Sequence, residues 1–148
     1  LEPFRTAGPK QEPEPLSYLK AQGKKAYDIN LEVQLKGEDM NEAHTISETN
    51  FKYMYWNMCQ QLAHQTVTGC NIQSGDLYAS GTISGPTEDS YGSMLELAWK
   101  GTKPLQFPNG EERKFLQDGD TLTLSGYCQA EGYRVGFGEA AGTIKAAK

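Results

Sequence analysis

The sequence predicts a mainly β, α+β fold with one substantial helix, on three observations. Residues 27–36 alternate apolar and polar side chains without a break, residues 51–67 carry apolar groups at helical spacing, and the chain beyond Gly69 reads as short apolar runs between turn residues. Period two marks a strand with one buried face; spacings of three and four mark the buried stripe of a helix. At 148 residues the chain is long enough for one domain with its own core.

The elements follow in order. Residues 1–25 hold Pro3, Pro9, Pro13 and Pro15 with no sustained periodicity, and read as an extended connector to a domain over residues 26–148. Tyr27, Ile29, Leu31, Val33 and Leu35 form one face of the first strand, which Gly37 ends. Thr49 or Asn50 then offers a side-chain oxygen to the free amides of a helix start. Phe51, Met54, Tyr55, Met58, Cys59 and Leu62 make the helical stripe, Tyr53, Trp56, Ala63 and Val67 widen it, and Gly69 stops it. Such a stripe reads as core or subunit packing. Strands are predicted over residues 76–83, 93–100, 113–117, 121–128 and 132–137, with hairpin turns at Asn109-Gly110 and Asp118-Gly119, pairs that tolerate positive φ.

Charge and composition exclude several functions. Lys and Arg number 14 against 19 Asp and Glu, and no block of five like charges occurs, so nucleic acid or an anionic membrane has no electrostatic basis as a partner. No apolar run approaches the ~18 residues of a membrane span and no secretory leader opens the chain, which predicts a cytoplasmic protein. Cys59, Cys70 and Cys128 are odd in number and contain no C-x-x-C pair, so they read as reduced thiols packed as small hydrophobes. His44 and His64 lack a ligand pattern. The chain opens on Leu1 and not on methionine, which points to a piece of a longer protein.

Glu96 is the main chemical anomaly. It sits in Ser-Met-Leu-Glu-Leu-Ala-Trp, where a strand would place its carboxylate between Met94 and Ala98. An ionised carboxylate among apolar groups costs several kcal/mol unless bonded or paired. Glu96 is therefore read either as reaching water from an edge strand or as a site carboxylate that orients a histidine. The stretch Ser80-Gly81-Thr82-Ile83-Ser84-Gly85-Pro86 is the second candidate, since glycines beside hydroxyl residues let a ligand approach the backbone. It fails the G-x-S-x-G elbow because its serine is one place late. Gly136 to Gly142 resembles a dinucleotide fingerprint but has no following helix to hold a pyrophosphate. Glu12 and Glu14, separated and followed by prolines, make a poor metal pair.

Several segments together resemble the fumarylacetoacetase family, in order and over essentially the whole chain, as its C-terminal part. They are Tyr27-Asp28-Ile29-Asn30-Leu31, Asn50-Phe51-Lys52-Tyr53-Met54-Tyr55-Trp56, Gly75-Asp76-Leu77 with Ala79-Ser80-Gly81-Thr82-Ile83-Ser84-Gly85-Pro86, Gly92-Ser93-Met94-Leu95-Glu96-Leu97, Trp99-Lys100-Gly101-Thr102-Lys103-Pro104 and Gly126-Tyr127-Cys128-Gln129. The resemblance implies part of a mixed β-roll or β-sandwich and hydrolysis of a carbon-carbon bond of 4-fumarylacetoacetate to fumarate and acetoacetate, in tyrosine and phenylalanine breakdown. It implies a homodimer and Mg²⁺ or Ca²⁺ as cofactor. A histidine activates water in that family; Glu96 matches the glutamate that orients it, and Thr82 matches a threonine that contacts substrate. The family's catalytic histidine and acidic metal ligands fall outside this segment, so none of its residues is assigned as a metal ligand, and neither His44 nor His64 takes the catalytic role. On this reading the isolated chain is inactive. The alternatives are a related oxo-acid hydrolase or decarboxylase of the same superfamily, and a non-catalytic binding or assembly module of the same fold.

Overall fold

A computed structural model describes residues 1–148. The alternation read in the sequence builds its centre. Strands β1 (Arg5–Thr6) and β2 (Ala26–Tyr27) pair as a short ribbon, and β3 (Asn30–Lys36) and β4 (His44–Asn50) pair antiparallel. Helix α1 (Met58–Thr66) and the single turn α2 (Met94–Leu97) follow. Then come the hairpin β5 (Leu105–Gln106) and β6 (Glu112–Arg113), and the long pair β7 (Thr121–Ala130) and β8 (Tyr133–Thr143). The principal sheet has the order β4-β3-β7-β8, antiparallel throughout.

Register puts like with like. Val33 faces Leu124 and Leu35 faces Leu122, so the apolar faces of β3 and β7 coincide. Two patches of core form on that face. Phe4, Ile29 and Cys128 make one; Leu35, Met40 and Phe107 make the other. Between them an apolar groove of about 520 Å³ is lined by Val33, Ile46, Met94, Leu97, Leu122 and Leu124 among others. Leu35 and Cys128 are fully inaccessible, and burial pushes the Cys128 thiol up. Cys59 and Cys70 are exposed free thiols, against the expectation that all three cysteines pack inside.

Three predicted elements are corrected, and the strand expected over residues 113–117 is reduced to β6, Glu112–Arg113. Residues 76–83 form no strand: none of the sheets pairs with them, and Gly81 at φ +75° breaks the extension. The helix expected over residues 51–67 is two pieces. Asn50 caps only a 3-10 turn at Phe51–Tyr53, its side chain accepting from the Lys52 amide. The chain then restarts at Asn57, whose side chain accepts from the Gln60 amide while Gln60 returns the bond, a reciprocal cap for α1. Nor does the apolar stripe of α1 pack inside: Met58 and Leu62 are exposed, and the one buried residue is Gln60, bonded to Gln11 and to the Leu19 carbonyl. The third correction, at residues 93–100, makes the site.

Residues 1–25 are fastened to the rest. Phe4 and Leu19 are buried, Arg5 and Thr6 pair with Tyr27 and Ala26, and Tyr55 donates its hydroxyl to the Glu12 carbonyl.

The polar face of the sheet carries one acid-sensitive contact. Glu32, on β3, accepts from the Thr45 hydroxyl and the Gln34 amide, both at 2.7 Å, and these donors hold its carboxyl below the usual carboxylate range, Thr45 most. A carboxyl whose pKa falls on folding stabilises the native state above its unfolded pKa, and that stabilisation is lost as pH drops through the folded value. Glu32→Gln is therefore expected to flatten the loss of stability below about pH 4.5 while changing little about pH dependence near neutrality, read from denaturant midpoints at several pH values.

Candidate functional site

Glu96 lies on α2, and the strand predicted over residues 93–100 is a helical turn. Ser93 is its N-cap, with φ −141° and ψ 150°, and the Ser93 hydroxyl oxygen accepts the Glu96 amide at 3.3 Å. Trp99, Lys100 and Gly101 follow with φ of +44°, +55° and +81°, closing the helix after one turn and burying Ala98 completely. Left-handed backbone at Trp99 and Lys100 costs roughly 1–2 kcal/mol per residue, so the surrounding contacts over-determine this turn. The Lys100 amide donates to the Leu95 carbonyl and the Lys103 amide to that of Ala98.

The carboxylate is held by hydroxyls. Ser84 donates to Glu96, 2.8 Å from Oε1 and 2.9 Å from Oε2, and Ser93 donates to Oε2 at 2.7 Å. Glu96 is half-buried and forms no ion pair with a lysine, arginine or histidine of this chain. The anomaly of a carboxylate in an apolar run resolves in this way: α2 turns Glu96 toward the segment carrying Thr82 and Ser84, and hydrogen bonds replace the solvation that burial removes.

That segment is locked to the sheet through Gly92. The Gly92 amide donates to Ser84 Oγ at 3.1 Å, the Gly85 amide to the Ser90 carbonyl at 2.8 Å, and Ser47 of β4 donates to the Tyr91 carbonyl at 2.8 Å. Thr82 is exposed, with its methyl against Gly92. Thr82 thus lies against Gly92, and Glu96 is joined to the same glycine through Ser84, a member of the candidate stretch; Ser93, which was not singled out in the sequence, is added. Ser93-x-x-Glu96 has the spacing of a capping box, the signal that could have shown both the helix and the serine. Ser84 stood out only as a hydroxyl residue of the candidate stretch, with no signal that it bonds Glu96.

Gly92 has no room for a side chain. A methyl there would sit 2.6 Å from the Ile83 carbonyl oxygen, 2.8 Å from its carbon and 2.8 Å from the Thr82 methyl. The clash is with backbone, so residues 82–84 must move. Gly92→Ala is expected to destabilise the protein by about 1–3 kcal/mol, because the backbone of residues 82–84 must shift to admit the methyl. Denaturant midpoints check this; an unchanged midpoint would mean that the loop yields without cost.

The remaining candidates lie elsewhere. His64 Nδ1 is 3.0 Å from the Tyr18 hydroxyl and His44 packs on Phe107, their ring centres 5.7 Å apart; neither bonds Glu96. Glu12 and Glu14 pair with Lys10 and Lys20 on the surface. Gly136 to Gly142 lies in β8. No group of three or more His, Cys, Asp or Glu in this chain is placed to hold a metal ion. Hard cations take six or more oxygen ligands, so these residues do not fit a Mg²⁺ or Ca²⁺ centre of their own. No helix is long and apolar enough to cross a membrane.

The chain is thus of the mainly β, α+β class, an open antiparallel sheet carrying a carboxylate held by two hydroxyls beside a glycine-rich loop. The description "Fumarylacetoacetate (FAA) hydrolase C-terminal" matches residues 9–145, and the chain belongs to that family. It is 58% identical over 144 residues to fumarylacetoacetase of Homo sapiens, 56% over 146 residues to that of Dictyostelium discoideum and 53% over 144 residues to that of Arabidopsis thaliana. Each alignment covers 97% of this chain and 34% of the relative, so the chain spans about a third of the length of the curated relatives it matches.

Proposed function

We propose that the complete protein is a fumarylacetoacetase, hydrolysing the carbon-carbon bond of 4-fumarylacetoacetate to fumarate and acetoacetate in tyrosine and phenylalanine catabolism. The observation that carries this reading is the likeness to fumarylacetoacetases at 58% identity over 97% of the chain. Glu96 supports it: a carboxylate held by hydroxyls and unpaired with any cation keeps lone pairs free to accept an imidazole N–H. In the proposed reaction Glu96 fixes the tautomer and direction of a histidine, supplied from outside these residues, that takes a proton from the attacking water. The Thr82 hydroxyl, on the same loop, contacts a substrate oxygen.

The proposed cofactor, Mg²⁺ or Ca²⁺, draws its ligands from outside these 148 residues, whose own side chains orient the histidine and contact the substrate. The working unit is proposed to be a cytoplasmic homodimer, with the 148 residues inactive alone.

Turnover of fumarylacetoacetate by the complete protein, with Mg²⁺ or Ca²⁺ present, tests the reading. Absence of turnover by well-folded complete protein overturns it, and preferred turnover of acylpyruvates would move it to a related oxo-acid hydrolase. Measurable turnover from the 148-residue chain would overturn its proposed inactivity.

A further inference from the structure

We propose that Ser84 and Ser93 are positioning residues that together aim the Glu96 carboxylate, an inference that rests on the orienting role proposed for Glu96. Each hydroxyl has one proton and can also accept. Ser84 Oγ accepts the Gly92 amide at 3.1 Å and Ser93 Oγ accepts the Glu96 amide at 3.3 Å. Backbone donors thus occupy one face of each oxygen and leave its proton to Glu96. The two hydroxyls approach from different elements, Ser93 from the cap of α2 and Ser84 from a loop twelve positions before Glu96. A flexible glutamate side chain is thereby held in one plane.

Capping alone does not explain the arrangement. The cap of α2 needs Ser93 only as an acceptor, yet its hydroxyl also donates at 2.7 Å to Oε2. Ser84 has no part in the cap, and its bonds join Gly92 to Glu96. A carboxylate offers about four lone-pair sites. Two hydroxyl protons, one shared between both oxygens, leave sites for an imidazole N–H in a direction that the serines set. Thr82 and Ser84 both meet Gly92, so the same loop that presents the proposed substrate contact also fixes the orienting carboxylate.

The test uses the complete protein with Mg²⁺ or Ca²⁺ and fumarylacetoacetate. Ser84→Ala is expected to lower kcat about 10–30-fold with KM moved less than about threefold, the split expected when an interaction serves the reacting geometry more than substrate binding. In a Glu96→Gln background the same change is expected to move kcat less than about twofold, whereas a merely structural serine would cost the same factor in both backgrounds. Ser93→Gly keeps an acceptable N-cap but has no hydroxyl, and is expected to lower kcat about tenfold; Ser93→Thr, which keeps both, is expected to restore it. Should Ser84→Ala fail to fold, the Ser93 pair decides. Serine variants within twofold of wild type, or effects that simply multiply with Glu96→Gln, overturn the proposal while leaving the hydrolase reading intact. A well-folded wild type without turnover overturns both, and is measured first.

Discussion

Arg113→Met is expected to destabilise the complete protein by about 3–5 kcal/mol, the cost of leaving a buried charge without its partner. Asp120 is fully inaccessible. Its Oδ1 accepts from Arg113 Nε at 3.1 Å and Nη2 at 3.0 Å, its Oδ2 from Nε at 3.0 Å, and the Gln117 amide donates to Oδ2 at 2.8 Å. Glu111 takes a further Nη2 bond at 2.5 Å, and Gly37 leaves room for the guanidinium, since a methyl there would lie 2.6 Å from Nη2. The pair joins β6 to the start of β7 and thereby ties the β5–β6 hairpin, with Phe107 beside it, to the main sheet. Bonding to Asp120, and then to Glu111, raises the Arg113 pKa above its already high usual value. A group raised on folding loses its contribution only as pH climbs through the folded value, so the guanidinium stays charged and paired throughout the working range. Arg113→Lys keeps the charge but not the fork, and is expected to fall between the two. The double change Arg113→Met with Asp120→Leu is expected to recover most of the loss, because it removes the orphaned charge as well as the bond. Denaturant midpoints check the series; a double variant no better than Arg113→Met would mean that shape, and not charge, governs the site.

None of this was legible in the sequence, because six residues separate Arg113 from Asp120 with no periodic signal between them. The parts of the fold that were legible are those where a local pattern also matches the tertiary answer. The alternation over residues 27–36 is of this kind, and the structure interrupts it only between β2 and β3. Strand β4, His44–Asn50, was missed because its residues HTISETN contain one large apolar side chain, Ile46; its ladder with β3 makes it a strand. β8 runs on to Thr143 through glycines and alanines of low β propensity for the same reason, held by β7 across a bulge near Gly126. Residues 93–100 failed differently. A short apolar run does not distinguish strand from helix by periodicity, and the deciding feature was Ser93-x-x-Glu96, a pattern about caps and not about apolar spacing. Glu96 and Thr82 could be singled out from the sequence by their odd surroundings and their family likeness. Their companion Ser84 lay in the same candidate stretch as Thr82, but its bond to Glu96, twelve positions further along the chain and across a loop, had no local signal.

The hydroxyl clamp makes Glu96→Gln a severe change. An amide has the shape of the carboxylate but only one acceptor oxygen, and its nitrogen donates. Ser84 reaches both carboxylate oxygens and Ser93 reaches Oε2, so an amide oxygen at the Oε2 position can still accept from both serines. The amide nitrogen then stands in place of Oε1 beside Ser84 and can only donate, so an acceptor position that would take an imidazole N–H is lost. Lost charge and a lost acceptor act together. Turnover of fumarylacetoacetate by the complete protein is expected to fall about 10³-fold or more, on the scale seen when the acid behind a catalytic histidine becomes an amide. The fall should lie in kcat with KM little changed, because Glu96 acts through the histidine and touches no substrate atom. Stability should change by no more than about 1 kcal/mol, since the side chain is half-buried and its helix keeps the Ser93 cap. Glu96→Asp keeps the charge but withdraws it by one methylene, out of reach of hydroxyls anchored to Gly92 and to the cap, and is expected to lose about 10–100-fold. A Glu96→Gln protein that keeps a tenth of wild-type turnover would place the orienting group elsewhere and leave Glu96 a structural carboxylate satisfied by two serines.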